Sequence, residues 1–404
     1  MCLNRFLIAV LGTTLVGGTA FCAESKDFLT DGKFWADLRY RYETVDQDGL
    51  ANDAKASTLR TRVGFETAPL AFSVFLEAEN ILSLGSENYN DTINGKTTYP
   101  VVADPEDTQL NQGYVKFTGL EKNVFKLGRQ VTNLDNQRFV GDVAWRQNQQ
   151  TFDSFTLTNT SFENTECFYS YLWQANRVFG TDSPMGEFKS DSHLLHATNK
   201  EFDACNLTGY AYLLDFKKDA PVLSSETFGL RATGKFPMDG FAWIYAAEYA
   251  SQKEYADNPA SFDLSYYLLE PGFTWGGLTT KLGFESMEGD GKVGFSTPLA
   301  TLHAFNGWVD KFLNTPAKGL EDTYLNLTYL FKDVEPVLEG LKLMAVYHDY
   351  SAQSTNDSYG TEWNFLANYP FLKHYFAEFK YGSYQADGLF TDTKKLWGSL
   401  GAKF

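Results

Sequence analysis

The stretch FWADLRYRYETVD, Phe34–Asp46, decides the fold. Asp37, Arg39, Arg41 and Glu43 fall on one parity, and Ala36, Leu38, Tyr40 and Tyr42 on the other. Charges on one side and apolar or aromatic groups on the other, at period 2, mark a strand between two unlike surroundings; a helix would gather its apolar groups every three or four residues. The stretch TLRTRVGFET, 58–67, repeats the pattern, with Arg60, Arg62 and Glu66 set against Leu59, Val63 and Phe65.

Outward from this pair, the same alternation predicts eighteen strands: 34–46, 56–67, 71–80, 110–118, 123–130, 152–162, 165–175, 190–200 and 203–215 in the first half. The second half adds 225–236, 240–251, 261–272, 277–286, 321–332, 340–350, 359–369, 371–383 and 394–404. The connections alternate in length. APL, GLEK, PMD and a lone Pro370 are short; 81–109, 131–151, 176–189 and 287–320 are long. Short turns on one side and long loops on the other, with an even strand count, are the pattern of an outer-membrane β-barrel with both termini in the periplasm.

Composition agrees. The 404 residues hold 23 Tyr and 34 Phe, yet no apolar run reaches the ~18 residues a transmembrane helix needs. Lipid-facing and lumen-facing residues that alternate average out to a nearly polar sequence. The first 23 residues, with Arg5, an apolar run from Phe6 to Val16 and small residues after it, read as a secretory signal, leaving 24–404 as one barrel domain of the Gram-negative outer membrane. A net charge of −17 argues against nucleic acid as a partner. Cys167 and Cys205 fall on strands separated by one other, roughly 9–10 Å apart by strand spacing, too far for a disulfide, so both are expected as free thiols.

Catalytic and phosphate-binding motifs are missing: HExxH, G-x-S-x-G and the P-loop pattern do not occur. The five histidines have no metal-ligand spacing, His193 and His196 lie on opposite faces of one strand, and His303 alone sits in a loop with an Asp nearby. No cofactor is implied and no enzyme is expected. The parity opposite Leu, Phe and Val gives the lumen a modest basic surplus. It includes Arg39, Arg41, Arg60, Arg62, Lys116, Lys126 and Arg231, and the four arginines of the first two strands are adjacent, with few acids among them. Clustered arginine is how pores favour anions, and guanidinium holds carboxylates in a fork.

Two long loops are partly apolar. GRQVTNLDNQRFVGDVAWRQNQQTFD, 128–153, sets Arg129, Arg138 and Arg146 among amides around Phe139, Val140, Val143 and Trp145; the second, 296–322, carries Phe305 and Trp308. Apolar residues in mid-loop predict that these loops pack into the barrel mouth, and amides and arginines beside a Trp suit a saccharide. GRQ…NQRFVGDVAWRQNQQTFD and TPLATLHAFNGWVDKF, with the opening hairpin, resemble signature segments of the alginate-export family of outer-membrane porins. The resemblance covers essentially the whole mature chain. It implies an eighteen-stranded barrel with an arginine-rich pore for an anionic uronate polysaccharide, Arg129, Arg138 and Arg146 at the constriction, and the strand arginines below.

The sequence thus predicts a passive, anion-favouring channel. Its partners would be outer-membrane lipid and lipopolysaccharide, anionic oligo- or polysaccharides or small anionic solutes, and the outer-membrane assembly machinery through the terminal aromatic Phe404. A general sugar or small-solute uptake porin, or a non-conducting barrel acting as adhesin, receptor or rim enzyme, stays open as an alternative.

Overall fold

The computed structural model describes residues 27–332 and 337–404; the expected signal segment lies outside the described residues. The strands are β1 (Lys33–Gln47), β2 (Ala54–Glu66), β3 (Phe72–Ser83), β4 (Asp107–Phe117), β5 (Asn123–Gln130) and β6 (Thr151–Asn159). Then come β7 (Thr165–Asn176), β8 (Glu187–Phe202), β9 (Cys205–Leu214), β10 (Ser225–Pro237), β11 (Phe241–Glu254) and β12 (Asp263–Trp275). The last six are β13 (Leu278–Met287), β14 (Leu320–Leu330), β15 (Lys342–Ser351), β16 (Ser358–Phe371), β17 (Tyr375–Ala386) and β18 (Thr393–Lys403).

Every strand pairs antiparallel with its sequence neighbours, and β1 closes on β18. At the seam Tyr40 faces Leu400 and Tyr42 faces Gly398. Ala36 N donates to Phe404 O at 3.1 Å, and Phe404 N returns a bond to Ala36 O at 2.9 Å. The strand count and the alternation of loop lengths read from the sequence both hold. Pro370 is the exception: it lies within β16 opposite Phe376, and the turn is 372–374, where Leu372 and Lys373 take left-handed φ of 48° and 63°. Proline has no N–H to give the ladder, and at a strand end that loss is small.

Parity sorts the two faces. Leu127, Leu269 and Leu282 stand on the outer wall, each more than half exposed in the isolated chain, where hydrocarbon covers them. Rings Phe34–Phe65, Phe72–Phe117, Phe117–Phe125 and Phe125–Phe155 follow one another at 4.5, 4.5, 6.1 and 6.2 Å near the periplasmic ends of β1–β6, as an interfacial aromatic girdle should. Inside, Arg39, Arg41, Arg60 and Arg62 are all buried. Cys167 and Cys205 are free thiols on either side of β8.

An eighteen-stranded ring is too wide for wall side chains alone to fill. Three extracellular loops turn into it: 84–106 (L2), 131–150 (L3) and 288–319 (L7). Tyr89 and Val102 of L2 bury against Val45, Ala54 and Ala56. Phe139 of L3 sits among Tyr210, Tyr212, Tyr266 and Phe295 at ring distances of 5.1–6.1 Å. The mid-loop apolar residues therefore do pack inward.

The parity makes a direct forecast. Leu269→Arg on the lipid face should lower folding stability in bilayers by ~2–4 kcal/mol, whereas Asn326→Arg, on the lumen face of β14, should change it by less than ~1 kcal/mol. Equilibrium unfolding in lipid vesicles measures both.

Candidate functional site

L3 and L7 are joined to each other inside the lumen. Val140 and Leu299 form a parallel bridge. Gly141 N donates to Leu299 O at 2.9 Å and Thr301 N to Gln137 O at 3.0 Å, while Gln150 Nε2 reaches Leu299 O at 2.9 Å. Three L3 residues, Asp135, Gln137 and Val143, hold left-handed φ of 48°, 68° and 50°. For a β-branched residue such as Val143 that conformation is costly, and it persists because bonds on both sides fix it. The bulge in β4 helps: Asn111, the residue extra to the register, turns into the lumen and donates to Gln149 Oε1 at 2.8 Å.

The amides of L3 are thus spent on partners within the protein: the loop itself, L2 and the barrel wall. Gln147 N donates to Asp104 at 2.8 Å and Gln147 Nε2 to Thr58 Oγ1 at 2.9 Å; Gln149 Nε2 donates to Asp142 at 2.6 Å. The expectation that these amides serve saccharide hydroxyls is corrected for these groups. They are buried, and a buried donor left without a partner is expensive, so the loop satisfies its own.

The arginines divide in the same way. Arg60 bonds Asp37 at 2.7 Å, Arg62 bonds Glu79, and Arg231 bonds Glu248. Arg138 donates to Glu285 at 2.8 Å and to Asn306 of L7 at 3.0 Å. Arg146 reaches Glu43 at 3.2 Å and Asp310 at 3.1 Å; Glu43, Asp104 and Asp310 outweigh its burial and raise its pKa. Lys116 bonds Glu66 at 2.5 Å, and Lys126 lies over the Tyr114 ring at 5.0 Å. Arg129 is a correction of place. It shares its face with Phe125 and Leu127, on the outer wall, and forks onto Asp153 at 2.7 and 3.2 Å. It belongs to β5 rather than to the loop, so strand parity carries it out of the lumen.

Two of the arginines singled out from the sequence have no close carboxylate bond. Arg39 gives its protons to Gln147 Oε1 at 3.0 Å, Ala144 O at 2.9 Å and Arg146 O. Arg41 is 1 % exposed, and none of its three guanidinium nitrogens bonds a protein atom among the described residues. Its nearest acid, Asp104, is 3.8 Å away, and its guanidinium lies 4.1 Å from the Trp145 ring centre.

On its other side Trp145 stacks on His303 at 4.2 Å, nearly parallel, and Trp397 meets it edge-on at 5.5 Å. Lys380 Nζ sits 3.5 Å from the Trp145 ring centre and 4.0 Å from that of Trp308. His303 Nδ1 donates to Asp310 at 2.6 Å and its Nε2 accepts from Lys380 at 2.8 Å. Asp310 also takes Lys395 at 2.8 Å. Burial holds His303 well below its ordinary pKa, with Lys380 and Arg146 adding to the effect. Burial would raise Asp310, but His303, Lys395 and Arg146 hold it well below the usual carboxylate range. The only loop histidine with a neighbouring Asp is therefore a neutral link in a buried chain and not a group on the rim.

The cluster separates two recesses. On the extracellular side Tyr99, Arg146, Arg177, Phe179, Lys311 and Leu313 line one; on the periplasmic side Arg231, Lys281, Tyr324, Lys342 and Lys380 line the other, and His303 reaches both. Lys395 and Trp397 were not among the residues the sequence singled out, although their parity opposite Leu396 and Leu400 was readable. Asp104, as a partner for Arg41, was not.

The sequence matches the model of the alginate-export family over residues 32–368. The chain belongs to the alginate-export family. With the closed barrel and its porin-like neighbours, this places it in the Gram-negative outer membrane as a channel protein. Similar solved structures include Acinetobacter baumannii OccAB4, at TM-score 0.74 and 15 % identity over 93 % of this chain and 99 % of that one. Pseudomonas aeruginosa OpdK with vanillate follows at TM-score 0.73, 14 % identity, 94 % and 100 %, and Pseudomonas aeruginosa OccK9 (OpdG) at TM-score 0.73, 16 % identity, 94 % and 100 %. At such identity the likeness is one of fold. No curated protein matches the chain. Alginate-export barrels and porins are non-enzymatic kinds of protein.

Removing the hub of the loop seam should open it. Asp310→Ala leaves Lys395 a buried charge without its ion-pair partner and removes one of the carboxylates around Arg146, a loss of ~3–5 kcal/mol for a broken buried pair. Single-channel conductance should rise and trypsin should cut at Lys311 in folded protein; unchanged conductance and protection would show that the seam does not depend on Asp310.

Proposed function

We propose that this alginate-export-family channel favours anions and passes carboxylate-bearing solutes of the uronate class past Arg41. The observation that carries this reading is Arg41 itself: a buried guanidinium on the lumen wall, stacked on Trp145 with its hydrogen-bonding capacity unused. Other polar atoms without hydrogen-bond partners gather beside it, among them Glu43 Oε1, Asp104 Oδ2, Trp145 Nε1 and Trp397 Nε1. Buried polar groups are seldom left so in one place unless something polar visits them. A carboxylate fits a guanidinium fork, and a sugar ring fits the flat face of an indole. Family membership supports uronates over other acids.

The anion preference does not rest on a tally of arginines. Arg60, Arg62, Arg138, Arg146 and Arg231 are neutralised by carboxylates at hydrogen-bonding distance. Arg39 and Arg41 supply the local excess, with Lys311 at the extracellular recess.

In planar bilayers under a salt gradient, the reversal potential should indicate anion selectivity, and Arg41→Ala should lower the anion-to-cation permeability ratio by about fivefold, the effect of one close unit charge in a wet pore. Oligouronates should block the wild type more strongly than Arg41→Ala. Cation selectivity in the wild type, or an unchanged ratio in the variant, would contradict the reading.

pH gives a second test. Burial, with Lys395 adding to it, lowers the Lys311 pKa to about 8. A lysine so depressed is charged below that pH and neutral above it, so anion preference should decline between pH 7 and 9. Lys311→Arg, charged throughout, should flatten that decline.

A further inference from the structure

Away from the constriction, against β5–β10 in the periplasmic half of the lumen, lies a chamber of different chemistry. We propose that it is a second subsite, one that takes the hydroxyl-bearing ring of an uncharged saccharide unit. Its wall carries Thr156, Thr158, Thr198, Thr208 and Thr233, hydroxyls on lumen-facing positions of neighbouring strands. Thr198 faces Thr208 across the β8–β9 pair, with their oxygens 2.9 Å apart. Thr158 is paired with Phe168 and Thr233 with Asn206, so hydroxyls, an amide and one aromatic ring stand side by side.

That composition is matched to a sugar. Hydroxyls and amides both donate and accept, as a polyol requires, and Phe168 offers an apolar face to ring C–H groups. The charges along the chamber balance: Lys126 and Lys200 against Glu166 and Asp135. Asp135 is further engaged by His196 Nε2 at 2.9 Å. Where the constriction keeps an unmatched guanidinium, the chamber keeps none, and it has no electrostatic reason to prefer acids.

Position gives the chamber a role. Leu134 and Asp135, which form its upper edge, belong to L3, the loop whose Trp145 stacks on Arg41. The lumen therefore holds a charge-reading site at the seam and a hydroxyl-reading site beside the same loop. This rests on the saccharide reading above, and it adds that a unit without an acid group is held too, by its hydroxyls.

The test uses the full refolded barrel in planar bilayers with maltotriose, an uncharged trisaccharide, added on the periplasmic side. Resolved current blockades are expected, with dwell times shortened about fivefold in Thr198→Val/Thr208→Val, the loss of one net hydrogen bond. Valine is nearly isosteric with threonine and suits a strand, and matching unfolding curves in vesicles would show that the variant folds. Absence of blockades in the wild type, or dwell times unchanged in the folded variant, would overturn the subsite. The two readings fail separately, because the reversal potential is measured in salt alone, with no saccharide present.

Discussion

Hydrocarbon offers no partner for a backbone N–H or C=O, and each one left open there costs several kcal/mol. The β1–β18 seam answers that constraint, with paired register from Asp37↔Lys403 to Gln47↔Thr393 and a last exchange between Ala36 and Phe404. The rest of the architecture follows from closure. A ring of eighteen strands encloses more space than its side chains fill, and the chain returns L2, L3 and L7 into the lumen. Loops folded into a confined polar space must satisfy their own backbone and charges, which explains why L3 and L7 bridge each other and why Asp310 serves His303, Arg146 and Lys395 at once.

Selectivity in this account comes from uneven pairing. A buried guanidinium with a carboxylate at 2.7 Å is already neutralised, so Arg60 contributes to the fold of the wall more than to the field in the pore. Arg41 has the same burial, a carboxylate more than an ångström farther away, and an indole face in place of hydrogen bonds. Removing that indole would leave the cation without its nearest support. The seam therefore does two jobs with one residue, since Trp145 both packs L3 against His303 and presents Arg41.

The strands were legible in the sequence because a wall between lipid and water imposes period 2 on every segment, and parity then placed Arg39, Arg41, Arg60, Arg62, Lys116, Lys126 and Arg231 on the inner face. The inward packing of L3 was legible from Phe139, Val140 and Trp145, since a solvated loop does not need them. Pairing was not legible. Arg41 meets Asp104, Arg138 meets Glu285 and Arg146 meets Asp310 across more than sixty residues of chain in every case, so no local pattern records the match. The apparent shortage of acids around the first arginines comes from looking along the strand, because the partners of Arg41, Arg60 and Arg62 arrive from L2 and from neighbouring strands. Arg129 differs for the opposite reason: its surroundings resemble a loop, but its parity with Leu127 sets it on the outer wall. Composition marks Pro370 as the turn, whereas the left-handed residues Leu372 and Lys373 after it make the turn.

The central claim is that the loop seam leaves Arg41 available to an anion. Anomalous diffraction from crystals of the refolded barrel soaked in bromide tests it most directly. The account predicts a bromide peak within hydrogen-bonding reach of the Arg41 guanidinium, beside Trp145. Peaks confined to the outer rim, with none at Arg41, would contradict it.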